Sequence, residues 1–197
     1  SYFSGEGILY IGNNGGYGKY VLGQTGLLDA DYVNVGGYNS VGKFYQYDGR
    51  IGSIGLNVAE GINSSGMFYL YGGTINTVEE TIAARSGSSG IFEQYGGTNN
   101  ACTILKFAEG VNTYAKYNLY GGILNAGEAG TDIYGRRGIE LGTNGVAELI
   151  QSGGELNVTS DMKIALNSSS SGTYKITGGT ANISGNLTSG MGASTLI

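Results

Sequence analysis

The sequence predicts an all-β chain, a parallel β-solenoid of about eight turns, on three observations. A unit of about 24 residues repeats along the chain as an aromatic strand running into a Gly-Gly corner and then an Asn, as in Gly66-Met-Phe-Tyr-Leu-Tyr-Gly-Gly-Thr-Ile-Asn76 and Gly90-Ile-Phe-Glu-Gln-Tyr-Gly-Gly-Thr-Asn-Asn100. Two further clear copies span 115–125 and 172–182. A fixed period of this length belongs to one supersecondary unit stacked many times. Inside each unit the side chains alternate with period two, the spacing of a strand whose alternate residues face one interior. Third, there are 39 Gly and no Pro. That suits a structure with frequent corners in which every strand donates ladder hydrogen bonds on both sides.

The first corner position places the copies at Gln24, Asp48, Gly72, Gly96, Gly121, Gly153 and Gly178, at intervals of 24, 24, 24, 25, 32 and 25 residues. A second element lies upstream of each corner as two alternating, mostly apolar residues closed by a small one. It reads Leu9/Ile11-Gly12, Val33/Val35-Gly36, Leu56/Val58-Ala59, Thr81/Ala83-Ala84, Leu105/Phe107-Ala108, Ile139/Leu141-Gly142, Met162/Ile164-Ala165 and Leu187/Ser189-Gly190. Eight copies fill the 197 residues, so 1–197 reads as one array with no room for a second domain.

Four positions before the corner stand Tyr20, Phe44, Phe68, Phe92, Tyr117, Leu149 and Tyr174, and two before it Leu22, Gln46, Leu70, Gln94, Leu119, Gln151 and Ile176. Both columns are expected to point inward. One such unit has too little apolar area to fold alone, whereas stacking at about 4.8 Å per turn buries a continuous core roughly 38 Å long. The crossover rule for parallel strands makes the solenoid right-handed.

Composition narrows the function. A net charge of -5 with ten Lys and Arg argues against nucleic acid, whose phosphates need a basic face. No run of eighteen apolar residues is present, so no membrane span is expected in this segment. No signal peptide is visible at Ser1, and the array begins and ends in mid-turn, as expected of a mature or excised fragment. The single cysteine, Cys102, reads as a small strand residue rather than a reactive thiol. Five Asn-x-Ser/Thr sequons, at Asn63, Asn157, Asn167, Asn182 and Asn186, are what so Asn- and Ser-rich a chain produces by accident.

Without histidine, a Ser-His-Asp triad, a Cys-His pair and a His-Glu-x-x-His zinc site are impossible. Phosphate-binding Gly loops and the acidic calcium-binding nonapeptide are also missing, so neither metal nor cofactor is expected. The surviving enzyme reading rests on Glu60 and Glu109, in equivalent Ala-Glu-Gly motifs two turns and about 9.6 Å apart, near the spacing of an inverting glycosidase pair. Arg85 falls in the same column of the turn between them, so a Glu-Arg-Glu ladder is the plainer reading.

Three outward features remain. Asn76, Asn100, Asn125, Asn157 and Asn182 form a column suited to turn-to-turn amide hydrogen bonds. Tyr47, Tyr71, Tyr95 and Tyr120, with Tyr45 and Tyr69 on the same face, form an exposed aromatic row. Such a row stabilises its own sheet, joins partner chains or binds glycans. Last, the distance from the corner Asn to the next apolar pair is five residues in most copies, 76 to 81 among them, but fourteen from 125 to 139. A loop at about 126–138 is expected to leave the solenoid there, with Asp132, Tyr134, Arg136 and Arg137 as recognition candidates.

The combination apolar-x-apolar-Gly followed by Gly-x-Phe/Tyr-x-Leu/Gln-x-Gly-Gly-Thr-x-Asn resembles the strand repeats of large secreted bacterial proteins, autotransporter passengers and filamentous adhesins among them. Nearly the whole chain carries the pattern, and the first repeat departs from it with Gln24-Thr25 at the corner. The resemblance implies a right-handed β-helix displayed outside the cell. The leading expectation is a non-catalytic structural module of a coat, stalk or filament that joins copies of itself or other surface proteins. An adhesin for glycan or protein is the alternative, and a glycan-cleaving enzyme the third. Ice binding fails because the column Thr74, Thr98, Ile123, Glu155, Thr180 is interrupted.

Overall fold

A computed structural model describes residues 2–128 and 137–197, with residues 2–6 described by their backbone alone. The chain is a β-solenoid of about eight turns in which every strand pairing is parallel, and no helix occurs among the described residues. One sheet stacks eight strands in chain order, six of them aromatic: Tyr17–Leu22, Val41–Gln46, Ser65–Leu70, Ser89–Gln94, Tyr114–Leu119, Val146–Gln151, Ser171–Ile176 and Ala193–Leu196. The other is built from the longer strands Tyr2–Ile11, Leu27–Val35, Arg50–Val58, Thr74–Ile82 and Thr98–Phe107. After these the same path is made in two pieces per turn, beginning with Ile123–Ala126 and Gly138–Leu141.

Each corner turns on its second residue. Gly49, Gly73, Gly97, Gly122, Gly154 and Gly179 all have φ between 65° and 85°. A Cβ on Gly73 would also lie 2.3 Å from the Gly49 carbonyl oxygen of the neighbouring turn. Conformation and space therefore demand the same residue. The first corner is one residue longer, Gly23 to Gly26, with Gln24 at φ 39°. Before five strands of the first sheet a hydroxyl ties down the connecting turn: Ser40, Ser64, Ser88, Thr113 and Ser170 each donate to the carbonyl three residues back, at 2.5–2.9 Å.

The core is a set of axial columns. Phe44, Phe68, Phe92 and Tyr117 are fully buried, with successive ring centroids 4.6, 4.7 and 4.5 Å apart and planes within 12°. Beside them Leu22, Gln46, Leu70, Gln94, Leu119 and Gln151 are equally buried. Ile176 keeps its place in this column, paired with Gln151, but is 36% exposed.

One upstream pair is also corrected. Leu56 pairs with Glu80 and Glu80 with Leu105, so the fourth inward pair is Glu80/Ile82 closed by Ala83, not Thr81/Ala83 closed by Ala84. The left-handed conformation of Ala59, Ala83 and Ala108 marks the same register. Its cause is local: Asn76 lies four residues before that pair and Asn100 five, the difference being absorbed as an irregularity after Thr77.

Candidate functional site

On the outer face of the aromatic sheet the period-two pleat brings Tyr47, Tyr71, Tyr95 and Tyr120 into one stack. Their ring centroids are 5.0, 5.0 and 4.9 Å apart, with planes tilted 8°, 7° and 14°. Stacked rings cover one another's faces but leave edges and hydroxyls open, and the four residues are 40–55% exposed. Tyr45 and Tyr69 make a second stack on the same face, 4.8 Å apart and half-buried, with the Lys19 ammonium 5.0 Å from the Tyr45 ring. In the next turn Glu93 takes the place of Tyr69. Its carboxylate accepts from the Tyr95 hydroxyl at 3.3 Å and from Asn118 Nδ2 at 2.8 Å. Desolvation against the stack, then the Glu93 charge, holds the Tyr95 and Tyr120 hydroxyls above the usual phenol range.

The other sheet carries the asparagine column. Asn100, Asn125, Asn157 and Asn182 each donate Nδ2 to the Oδ1 of the asparagine one turn earlier, beginning at Asn76, at 2.7, 2.8, 3.0 and 2.9 Å. A second, shorter pair joins Asn57 to Asn34 at 2.8 Å.

Of the loop candidates, Asp132, Tyr134 and Arg136 lie outside the described residues. Arg137 is exposed and donates to the Gly127 carbonyl at 2.9 Å. The loop is narrower than 126–138, since Ala126 and Gly138 both sit in strands, paired with Ala101 and Ile104.

Glu60, Arg85 and Glu109 do not form the expected ladder. The corrected register puts Ala84 in their column, and the next residue, Arg85, reaches Glu60 alone at 3.8 Å. Glu109 pairs instead with Lys106, which also lies 3.3 Å from Glu79. These charges and Asn57 line a polar groove of about 420 Å³. Both carboxylates of the glycosidase reading are thus engaged by cations, Glu60 by Arg85 and Glu109 by Lys106.

The register slip had hidden a buried polar network. Glu80 is fully buried, with Thr77 Oγ1 3.0 Å from one carboxyl oxygen and Asn99 Nδ2 3.0 Å from the other. Burial raises its pKa from the ordinary 4.5 to about 7, against the pull of those two hydrogen bonds. Asn99 Nδ2 also reaches the Tyr117 hydroxyl at 3.2 Å, which donates to Gln94 Oε1 at 2.5 Å. Glu80, two residues before Ile82-Ala83 where the other copies carry Leu56 and Leu105, was the available signal, legible only once the register is known. Cys102 is half-buried, and its thiol is pushed up by burial and the Glu128 and Glu80 carboxylates, away from reactive thiolate.

No protein-family model, curated protein or solved structure matches the chain.

Proposed function

We propose that the chain is a non-catalytic structural module of an extracellular or cell-surface coat, stalk or filament, joining copies of itself or other surface proteins along its axis. One observation carries this reading: its side-chain columns, inside and out, bond each turn to the next. The buried phenylalanines, the exposed tyrosines and the asparagines are all axial ladders. Repeated ladders of this kind build a rod that resists being pulled apart along its length. Ile164, Leu187 and Leu196 line an apolar cavity of about 260 Å³, and the exposed Leu187 and Leu196 offer apolar surface to a copy or another surface protein. Electron microscopy of the native material tests the proposal, with fibres or lattices expected. Isolated rods, together with a soluble monomer at every concentration in sedimentation, would refute it.

An adhesin is the second reading, favoured by the exposed tyrosine row. Because the ring faces are spent on each other, a glycan would meet hydroxyls and ring edges there, which makes a protein partner the better fit. Binding to a glycan array that is lost on Tyr71→Ala would reverse that order.

A further inference from the structure

We infer that the stacked row Tyr47, Tyr71, Tyr95 and Tyr120 is a site of oxidative modification, at which a phenol oxidised by one electron couples to a tyrosine of a second copy and cross-links the two chains. The inference goes beyond the structural reading and does not depend on it.

Three features of the row converge. Near-parallel rings 4.9–5.0 Å apart let an electron vacancy spread over the stack, which makes its members easier to oxidise than an isolated phenol. The proton that must leave with the electron has a waiting acceptor, since the Tyr95 hydroxyl lies 3.3 Å from a Glu93 carboxylate oxygen. Finally, the rings cover one another's inner faces while the four residues remain 40–55% exposed, which leaves their edges as the accessible part.

That last feature directs the coupling. The new bond joins two ortho carbons and lies in the plane of each ring, and in-plane bonds of two stacked rings do not point at one another. Neighbours within the row therefore cannot join without breaking the stack, and the exposed edge couples outward. The oxidant is a peroxidase-class haem enzyme with hydrogen peroxide. Each of two phenols gives up one electron and one proton, the two radicals form one carbon–carbon bond, and the ortho hydrogens shift to restore both hydroxyls. The peroxide O–O bond breaks and takes up the two electrons and two protons as two waters.

The test treats the purified chain with a haem peroxidase and hydrogen peroxide. Covalent dimers are read on a denaturing gel, dityrosine by its fluorescence, and the linked residues by mass spectrometry of peptides. Tyr17 and Tyr38 are the internal controls, because at 64% and 51% they are as exposed as the row. The expected result is intermolecular dityrosine, several-fold richer per residue at the row than at the controls. Replacing all four by Phe, which keeps the rings, should remove most dimers, and Glu93→Gln should slow their formation several-fold. Cross-links that follow exposure alone, an undiminished yield from the Phe variant, dityrosine within single chains only, or none at all would each overturn the inference.

Discussion

Gln46 and Gln94 stand two turns apart in one buried column, and each donates its amide to two corner carbonyls, one in its own turn and one in the next. Gln46 reaches Gly49 and Thr74, both at 3.3 Å, and Gln94 reaches Gly97 at 3.2 Å and Ile123 at 3.0 Å. The difference is on the other side of the amide. Gln94 Oε1 accepts from the Tyr117 hydroxyl, while Gln46 Oε1 has no partner because the next turn offers Phe68 in that place. Gln151 repeats the complete arrangement, accepting from Tyr174 at 2.9 Å. A buried glutamine staple in this fold is thus complete only when the following aromatic is tyrosine. Around Gln46 the buried neighbours Phe44, Ile51, Phe68 and Ile75 are apolar, whereas the region around Gln94 continues through Tyr117 and Asn99 to a buried carboxyl group.

The comparison is broken most severely by removing a ring from the apolar region. Phe68→Ala deletes a fully buried side chain stacked on both sides and should cost about 3–5 kcal/mol, read as a lower denaturant midpoint. A loss under about 1 kcal/mol would mean that the neighbouring turns close the gap.

The polar region predicts a pH dependence that the apolar one lacks. Glu80 binds its proton more tightly folded, near pH 7, than unfolded, near 4.5. Its contribution to stability is therefore complete below about 4.5 and is lost as pH rises through 7, a change of about 3 kcal/mol. Denaturant titrations at pH 4.5 and 8 should differ less for Glu80→Gln than for the wild type. Equal differences in the two proteins would remove Glu80 as the cause.

Cutting the network at its middle is a smaller change. Tyr117→Phe keeps the stacked ring but leaves Gln94 Oε1 without its donor, as Gln46 Oε1 is now, and should cost about 1–3 kcal/mol. The converse substitution sharpens the comparison most finely. Phe68→Tyr offers Gln46 the hydroxyl it lacks and should gain about 0.5–1.5 kcal/mol, seen as a raised midpoint. A loss would show that the space beside Gln46 is closed to an oxygen.

How far these features were legible varies with the interaction. The Phe44–Tyr117 column and the tyrosine row follow from period-two alternation, since a strand has no other way to place those residues. Glu80 was misplaced because Asn76 stands four residues from its inward pair and Asn100 five, so a constant spacing moved the frame onto Thr81. With it moved Arg85, and the ladder between Glu60 and Glu109 dissolved into two separate cation contacts.

What the sequence determined by itself is whatever repeats: the parallel solenoid, its corners and the identity of the stacked columns. Each follows from a pattern copied many times, so that one irregular copy cannot overturn it. Only the tertiary structure decided which single residues break the pattern and what they then touch. A one-residue irregularity turns Glu80 inward, and whether Gln46 or Gln94 is satisfied depends on a hydroxyl supplied from the next turn. Such partners are about 23 residues away in the chain and one strand spacing away in space, and local preference carries no record of them.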